Sequence, residues 1–306
     1  MATVTLAESA KLTQDMLLAG VIENVISVNP MFELFPFMEI EGNALAYNRE
    51  NALGDVQFLG VGGTVTAKAA ATFTKVTSGL TTIIGDAEVN GLIQATRSNF
   101  TDQKAVQIAS KAKSIGRQYQ NTMVNGDGTG DSFSGILALC PAGQKLTPAT
   151  DGANLSFDIL DELIDKIKDK DGVTDYLMMP ARTIRSYYAL LRGLGGASIG
   201  DVVTLPSGVQ IPAYRGIPIF RNDWMPVNQV QGSSGAICTT ILAGTLDDGS
   251  GTHGISGLTA MDAAGMRVED VGISETKDET ITRVKMYCGM ALFSELGIAA
   301  APGIKN

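Results

Sequence analysis

The chain has 306 residues, 44% of them hydrophobic, which is enough to build the core of one large domain or two smaller ones. Its formal net charge of −9 disfavours a tight, wrapping contact with nucleic acid. The three cysteines are widely spaced and there is a single histidine, which argues against a disulfide framework, a paired-cysteine zinc site and most multi-histidine metal sites. We recognise no membrane span and no secretory signal, so we expect a cytoplasmic protein.

The first predicted element is a helix within residues 7–28, where apolar residues recur at helical spacing. The segment NPMFELFPFMEI follows, and its two prolines keep it extended. Its phenylalanines are Phe32, Phe35 and Phe37. A terminal core helix is one interpretation of this region. We favour an arm that reaches onto a neighbouring subunit, because the apolar residues after the helix need burial somewhere.

Residues 39–85 are predicted to form strands around a middle rich in glycine and threonine. Few large core residues lie from Gly60 to Ala71, a stretch that includes Gly62, Gly63 and Lys68, so it has little with which to build a core. We therefore expect a long two-stranded excursion from the body of the protein rather than a compact sheet.

The clearest element is an amphipathic helix over residues 99–124. Its apolar stripe, with spacings of three and four, consists of Ala105, Ile108, Ala112, Ile115, Tyr119 and Met123. At a rise of 1.5 Å per residue the helix would be roughly 39 Å long. We interpret its basic residues as a solvated flank, and a DNA-facing patch is the alternative.

The stretch NGDGTGD follows this helix and has the glycine and aspartate content of a ligand-binding loop. A phosphate loop requires the opposite order, with the glycines before a helix N-terminus. Asn125, Asp127 and Thr129 resemble the first half of a calcium-binding loop, but the twelfth position is Ile136 instead of glutamate. We interpret the stretch as a chain of turns that ends the long helix, and the family resemblance described below implies that it is a joint between two parts of the molecule. The glycines predicted to act as a hinge are Gly126, Gly128 and Gly130.

Residues 133–265 are predicted to form short helices and strands. The segment SFDILDELIDKIKDKDG is predicted to be a helix that begins at a Ser156 cap and ends at Gly172. Strands are predicted in DYLMM, GVQIPAYRGIPIFRND and GAICTTILAGTL, and ETITRVKMYCGMALF alternates as a long strand with one buried face. The loop around His253 has no convincing nucleophile or base partner. We predict no catalytic residue, cofactor or metal, and no enzymatic activity.

The order of these segments resembles that of the major capsid proteins of tailed bacteriophages, which have the Hong Kong 97-like fold. The resemblance lies in NGDGTGDSFSGI, YLMMPARTIRSYYALL, GIPIFRNDWMP, ILAGTL and ITRVKMYCGMALFSELGIAAAPG. It implies an α+β fold of five parts. These are an N-arm (1–38), an extended E-loop hairpin (39–85), a P-domain with a long spine helix (86–132), an α/β A-domain (133–265), and P-domain return strands with a C-terminal segment (266–306).

The resemblance also implies a structural function: self-assembly, in the host bacterial cytoplasm, into the icosahedral head that encloses the double-stranded DNA of a tailed bacteriophage. The implied partners are copies of the chain as pentamers and hexamers, a separate scaffolding protein, a portal protein, a decoration protein where one is used, and DNA through weak non-specific contacts. No membrane partner is implied. The residues expected at contacts between subunits are Phe32, Phe35, Phe37, Gly60, Gly62, Gly63 and Lys68. An encapsulin-type nanocompartment is the alternative function.

Overall fold

The computed structural model describes residue 31 and residues 34–97, 103–168, 172–194, 201–233 and 235–305. The strands are β1 (Phe37–Ile40), β2 (Ala44–Ala52), β3 (Thr72–Gly79), β4 (Thr81–Asn90), β5 (Ala153–Asn154), β6 (Tyr176–Met179), β7 (Val202–Thr204), β8 (Gln210–Tyr214), β9 (Ile217–Arg221), β10 (Gln229–Gln231), β11 (Ala236–Gly244), β12 (Ile255–Ala260), β13 (Met266–Ile273), β14 (Glu279–Leu292) and β15 (Ile298–Lys305). The helices are α1 (Gly91–Arg97), α2 (Gln103–Asn125), α3 (Ile136–Leu139), α4 (Phe157–Lys168) and α5 (Ala181–Gly193). The helix predicted within 7–28 and the contact residue Phe32 lie outside the described residues.

A five-stranded sheet is built around β14. Strand β4 pairs antiparallel with it along one edge, β12 and β13 pair along the other, and β1 pairs parallel with β12. The predicted alternation of β14 is confirmed, because Thr282, Val284, Met286 and Cys288 are buried while the residues between them are partly exposed. These buried side chains form one face of the sheet.

Helix α2 is the predicted long helix, and its apolar stripe is confirmed. The buried members are Ile108, Ala112, Ile115, Tyr119 and Met123, and they belong to the same core cluster as the buried residues of β14. The helix packs against β4 and β14. Burial of a side chain as large as Ile115 stabilises the fold by about 1.5–3 kcal/mol. This contact holds the helix across the five-stranded sheet.

An eight-stranded sheet forms the second layer, in the order β5-β15-β11-β6-β9-β8-β7, with β10 also paired to β11. Strand β6 is buried at all four positions, as predicted from DYLMM. Helix α4 packs against β15 and β11. Its predicted cap is confirmed, since the Ser156 hydroxyl accepts a hydrogen bond from the Ile159 N–H at 3.2 Å. Gly172 follows the helix where an added Cβ would clash with the Ile167 carbonyl.

The boundary predicted at residue 265 stays a prediction, and the two sheets do not divide the chain at that point. Strand β12 precedes that boundary but lies in the five-stranded sheet, and β15 follows it but pairs with β11 in the eight-stranded sheet. Local patterns do not encode which partner a strand pairs with, so the sequence did not predict the sheet to which either strand belongs. The part of the chain that the structure describes contains no helix long and apolar enough to cross a lipid bilayer.

Candidate intersubunit surface

Strands β2 and β3 form a hairpin that pairs with no other strand in the described part of the chain. This confirms the predicted two-stranded excursion. From Glu50 to Lys75 every residue is exposed except Ala67 and Ala71, which are partly exposed. The hairpin therefore leaves the body of the protein after its first few residues and carries no core of its own.

The outer part of the hairpin exposes large apolar side chains. They are Leu53, Val56, Phe58, Leu59, Val61, Val65 and Phe73. Leu53 is 78% exposed, and Phe58 and Val61 are fully exposed. Single exposed apolar residues are ordinary, but seven within one projecting hairpin indicate an interaction surface. Burial of each such side chain against another molecule would contribute about 1.5–3 kcal/mol.

The tip of the hairpin has a defined shape that Gln57 stabilises. Its side-chain oxygen accepts hydrogen bonds from the Thr66 N–H at 2.9 Å, the Thr66 hydroxyl at 2.7 Å and the Ala67 N–H at 2.8 Å. Its amide group donates to the Thr64 carbonyl at 3.1 Å. One side chain thus bridges the two sides of the loop, so the apolar residues are presented on an ordered frame.

The glycines predicted to contact a neighbour form the turn at this tip. The Gly63 N–H donates to the Gly60 carbonyl at 3.0 Å, and Gly62 has a φ of 81°, which glycine adopts without strain. The turn places Val61 at the outermost corner. Lys68 is exposed on the returning side of the loop. The contact role of these four predicted residues stays a prediction.

The predicted aromatic contacts near the N-terminus have different environments. Phe35 is 4% exposed and lies in the main core cluster, so its burial is provided by its own chain and not by a neighbour. This corrects the expectation for Phe35, because the extended segment runs beside β12 and Gly257 leaves room for the aromatic rings. Phe37 is 43% exposed and packs edge-on against Phe35, with ring centroids 5.6 Å apart. Phe37 therefore keeps surface for a contact with a neighbour.

The predicted hinge after α2 is a chain of hydrogen-bonded turns. The Asp127 carboxylate accepts bonds from the Thr129 N–H at 3.0 Å, the Thr129 hydroxyl at 2.7 Å and the Ser132 hydroxyl at 3.1 Å. The bonds from Thr129 contribute most to lowering the pKa of Asp127. Gly128 and Gly130 have φ values of 70° and 62°, which favour glycine.

Gly126 is packed more tightly than the other two predicted hinge residues. Its N–H donates to the Thr122 carbonyl and its carbonyl accepts from the Gly135 N–H, both at 2.8 Å. An added Cβ would lie 2.6 Å from the Thr122 carbonyl oxygen and would clash with the Phe133 carbonyl. The joint thus requires glycine at this position for close packing. Motion at the joint stays a prediction.

Three side chains that bind metals in other proteins meet in the loop after β11. Oxygen or nitrogen atoms of Asp247, Asp248 and His253 lie within 4.8 Å of one another. Asp247 accepts the Gly251 N–H at 3.0 Å, and hydrogen bonds from Ser250 lower the pKa of Asp248. The two carboxylates thus support the backbone of their own loop. The sequence interpretation singled out His253 but missed this grouping, and the adjacent aspartates in LDDGSGTHG were the available signal.

We compared the chain with known proteins to find others with this architecture. No protein-family model matches the chain, and no curated protein matches it. Among solved structures, the holo-SrpI encapsulin complex from Synechococcus elongatus PCC 7942 matches with a TM-score of 0.69 and 18% identity over 90% of this chain and 87% of the other. The capsid of a native GTA particle matches with a TM-score of 0.61 and 12% identity over 90% and 89% of the two chains.

A structure titled Mycobacterium phage Bobi matches over the full length, with a TM-score of 0.60 and 15% identity across 100% of this chain and 99% of the other. Because these sequence identities are low, the comparisons support a shared fold and nothing more specific. They agree with the mixed α+β architecture described above. The chain therefore has the Hong Kong 97-like fold.

Proposed function

We propose that this chain is the subunit of a self-assembling icosahedral shell, and that the shell is the head of a tailed bacteriophage enclosing double-stranded DNA. The observation that carries the proposal is the exposed apolar outer hairpin, from Leu53 to Phe73, on a chain with this fold. A single copy leaves these side chains in water, so their burial requires another molecule. A second copy of the same chain satisfies that requirement at every subunit of a closed shell.

The energetics suit repeated weak contacts. Each exposed apolar residue contributes a modest burial energy, and a subunit held by several neighbours at once gains avidity without any single strong contact. The net charge of −9 fits a wall that does not grip packed DNA, because phosphates are repelled and not neutralised. Pentamers and hexamers of the chain, a separate scaffolding protein and a portal protein are part of this proposal, as are the five predicted segments.

Electron microscopy of the purified full-length chain, with and without its candidate scaffolding protein, tests the proposal. Closed icosahedral particles or capsomer rings are the expected result. A chain that remains a monodisperse monomer in sedimentation under all assembly conditions would contradict the proposal. We predict no covalent crosslink between a hairpin lysine, Lys68 or Lys75, and an asparagine of a neighbouring subunit, because no sequence motif identifies such an asparagine. Boiled particles should therefore give only the monomer band in denaturing gels.

A compartment that encloses enzymes is the second candidate, and the match to an encapsulin complex at a TM-score of 0.69 favours it. The two candidates predict different contents. Particles from the native source should contain nuclease-protected DNA if the shell is a phage head, and a co-purifying protein cargo without DNA if it is an encapsulin-type compartment. The ratio of nucleic-acid to protein absorbance reports the DNA content of the particles, and denaturing gels of the same particles report a protein cargo.

A further inference from the structure

Arg49, on strand β2, forms an unusually dense set of contacts between the hairpin and the body. Its Nη2 donates to the Leu292 carbonyl at 2.5 Å and its Nε donates to the Phe293 carbonyl at 3.1 Å. Its Nη1 contacts the Glu295 carboxylate at 2.5 Å. The three acceptors lie more than 240 positions away in the sequence, at the end of β14 and in the turn before β15. One guanidinium group thus joins the hairpin to the segment that connects β14 and β15.

Arg49 is also the last residue along β2 that is partly buried. Leu45, Tyr47 and Arg49 alternate on one side of β2 and are partly buried, whereas the residues between them are exposed. Leu45 and Tyr47 pack against a small cluster that includes Phe293, and the Tyr47 hydroxyl donates to the Leu292 carbonyl at 2.7 Å. The Arg49 side chain is only 15% exposed. Beyond it the hairpin stands in solvent.

The surroundings of this contact leave room for the hairpin to move. A cleft of about 630 Å³ lies between the hairpin and the body, and Asn48 and Asn51 line it on one side while Thr252 and Leu296 line it on the other. A glycine stands near each end of the hairpin. Gly42 has a φ of 87°, and an added Cβ at Gly42 or Gly79 would meet no atom within 4 Å. A side chain at either position would face open space, and glycine allows the backbone at the hairpin base a wide range of conformations.

We propose that Arg49 is a latch that sets the direction in which the hairpin projects, and that release of this latch lets the hairpin rotate about Gly42 and Gly79 into or out of the cleft. The two hydrogen bonds to backbone carbonyls contribute most of the stabilisation of this hairpin direction, because Glu295 is 53% exposed and an exposed ion pair is weak. The planar guanidinium reaches the three acceptors at once, which a lysine ammonium at the same position does not. This latch is a property of the single chain, and it goes beyond the proposed shell function.

The test measures the hairpin direction in the unassembled full-length chain. Spin labels at Lys75→Cys on β3 and Glu162→Cys on α4 report the distance between hairpin and body, and the native cysteines do not interfere because all three are buried. The parent should give a narrow distance distribution. Arg49→Lys should broaden and shift it, and Arg49→Ala should do so at least as much. Glu295→Gln, which keeps both carbonyl contacts, should give a smaller change.

Arg221→Lys is the matched control, because Arg221 makes two 2.8 Å bonds to Asp223 in the other sheet and has no part in the hairpin. It should leave the distance distribution unchanged. If Arg49→Ala does not fold, Arg49→Lys and Glu295→Gln still decide the question. A parent-like distribution in a folded Arg49→Lys chain overturns the latch. The measurement does not depend on assembly, so failure of the shell proposal would leave this result intact.

Discussion

The outer hairpin and the long strand β14 show the same alternating pattern with opposite outcomes. From Thr282 to Cys288 on β14 every second side chain is buried, because α2 packs against this strand. Along β2 and β3 the alternation persists only at the base, and beyond Arg49 both faces are in solvent. An alternating sequence therefore shows that a strand has two different faces, but burial requires a covering layer. The chain provides that layer for β14 and leaves the hairpin to another molecule.

The largest expected effect on the single chain lies in the fully buried core of α4. Leu163→Ala should lower the free energy of unfolding by about 2–5 kcal/mol, because Leu163 is 0% exposed and its removal leaves a cavity. Urea unfolding followed by circular dichroism measures the change. A loss below about 1 kcal/mol would mean that the core collapses around the missing side chain.

A smaller loss is expected at the joint between α2 and the following turns. Gly126→Ala should destabilise the chain by about 1–3 kcal/mol, because the new methyl group meets backbone carbonyls that are held in place by hydrogen bonds. Thermal unfolding measures this effect. Gly130→Ala is a useful comparison, since an added Cβ there meets nothing within 4 Å and only the positive φ opposes it.

The ion pair between β4 and β14 should contribute a pH-dependent stability. The bonds from Arg283 to Asp86, both 2.8 Å long, hold the pKa of the Asp86 carboxyl below its ordinary value. A lowered native pKa means that the contribution is complete above the ordinary pKa of 3.8 and is lost as the pH falls through the native value. Both side chains are about one-third exposed, so Asp86→Asn should cost only about 0.5–1 kcal/mol at pH 7.

Comparison of unfolding curves at pH 7 and pH 3 checks this prediction. The difference between the parent and Asp86→Asn should shrink at the lower pH, where the parent carboxyl begins to take up its proton. An unchanged or larger difference at pH 3 would contradict the assigned role of Arg283.

The smallest effect on the single chain is expected in the outer hairpin. Phe58→Ser should change the free energy of unfolding by less than about 0.5 kcal/mol, because the side chain touches little of its own chain. The same change should reduce particle formation strongly in sedimentation, since it removes a large apolar contact surface. Leu163→Ala should thus lower the stability of the single chain, whereas Phe58→Ser should leave that stability nearly unchanged and reduce particle formation. A destabilised Phe58→Ser monomer would show that the hairpin folds back onto the body.

Sequence patterns predicted the elements whose signal is local. The stripe of α2, the Ser156 cap and the alternation of β14 each depend on residues a few positions apart, and all are confirmed. What the sequence did not predict depends on distant partners. Phe35 was assigned to a neighbour because nothing in the sequence shows that Gly257 makes room for the aromatic rings, and the sheet positions of β12 and β15 are set by pairing across the whole chain.

The candidate surface also combines features that local sequence patterns predict with features that depend on distant residues. The scarcity of large core residues from Gly60 to Ala71 predicted an excursion, and the structure has one. The Arg49 contact joins residues 246 positions apart and leaves no trace in local spacing. The grouping of Asp247, Asp248 and His253 spans only a few residues, but it requires a turn of the backbone that composition alone does not specify.

The hydrogen bonds of Gln57 have a consequence for the thermodynamics of docking. A loop that is already shaped before it meets a partner loses little conformational entropy on contact, so more of its apolar burial appears as affinity. Substitution of Gln57 would leave the same hydrocarbon on the surface but on a looser backbone. Under the proposed function, such a chain would still encounter its neighbours at the same rate, and the joined copies would separate sooner.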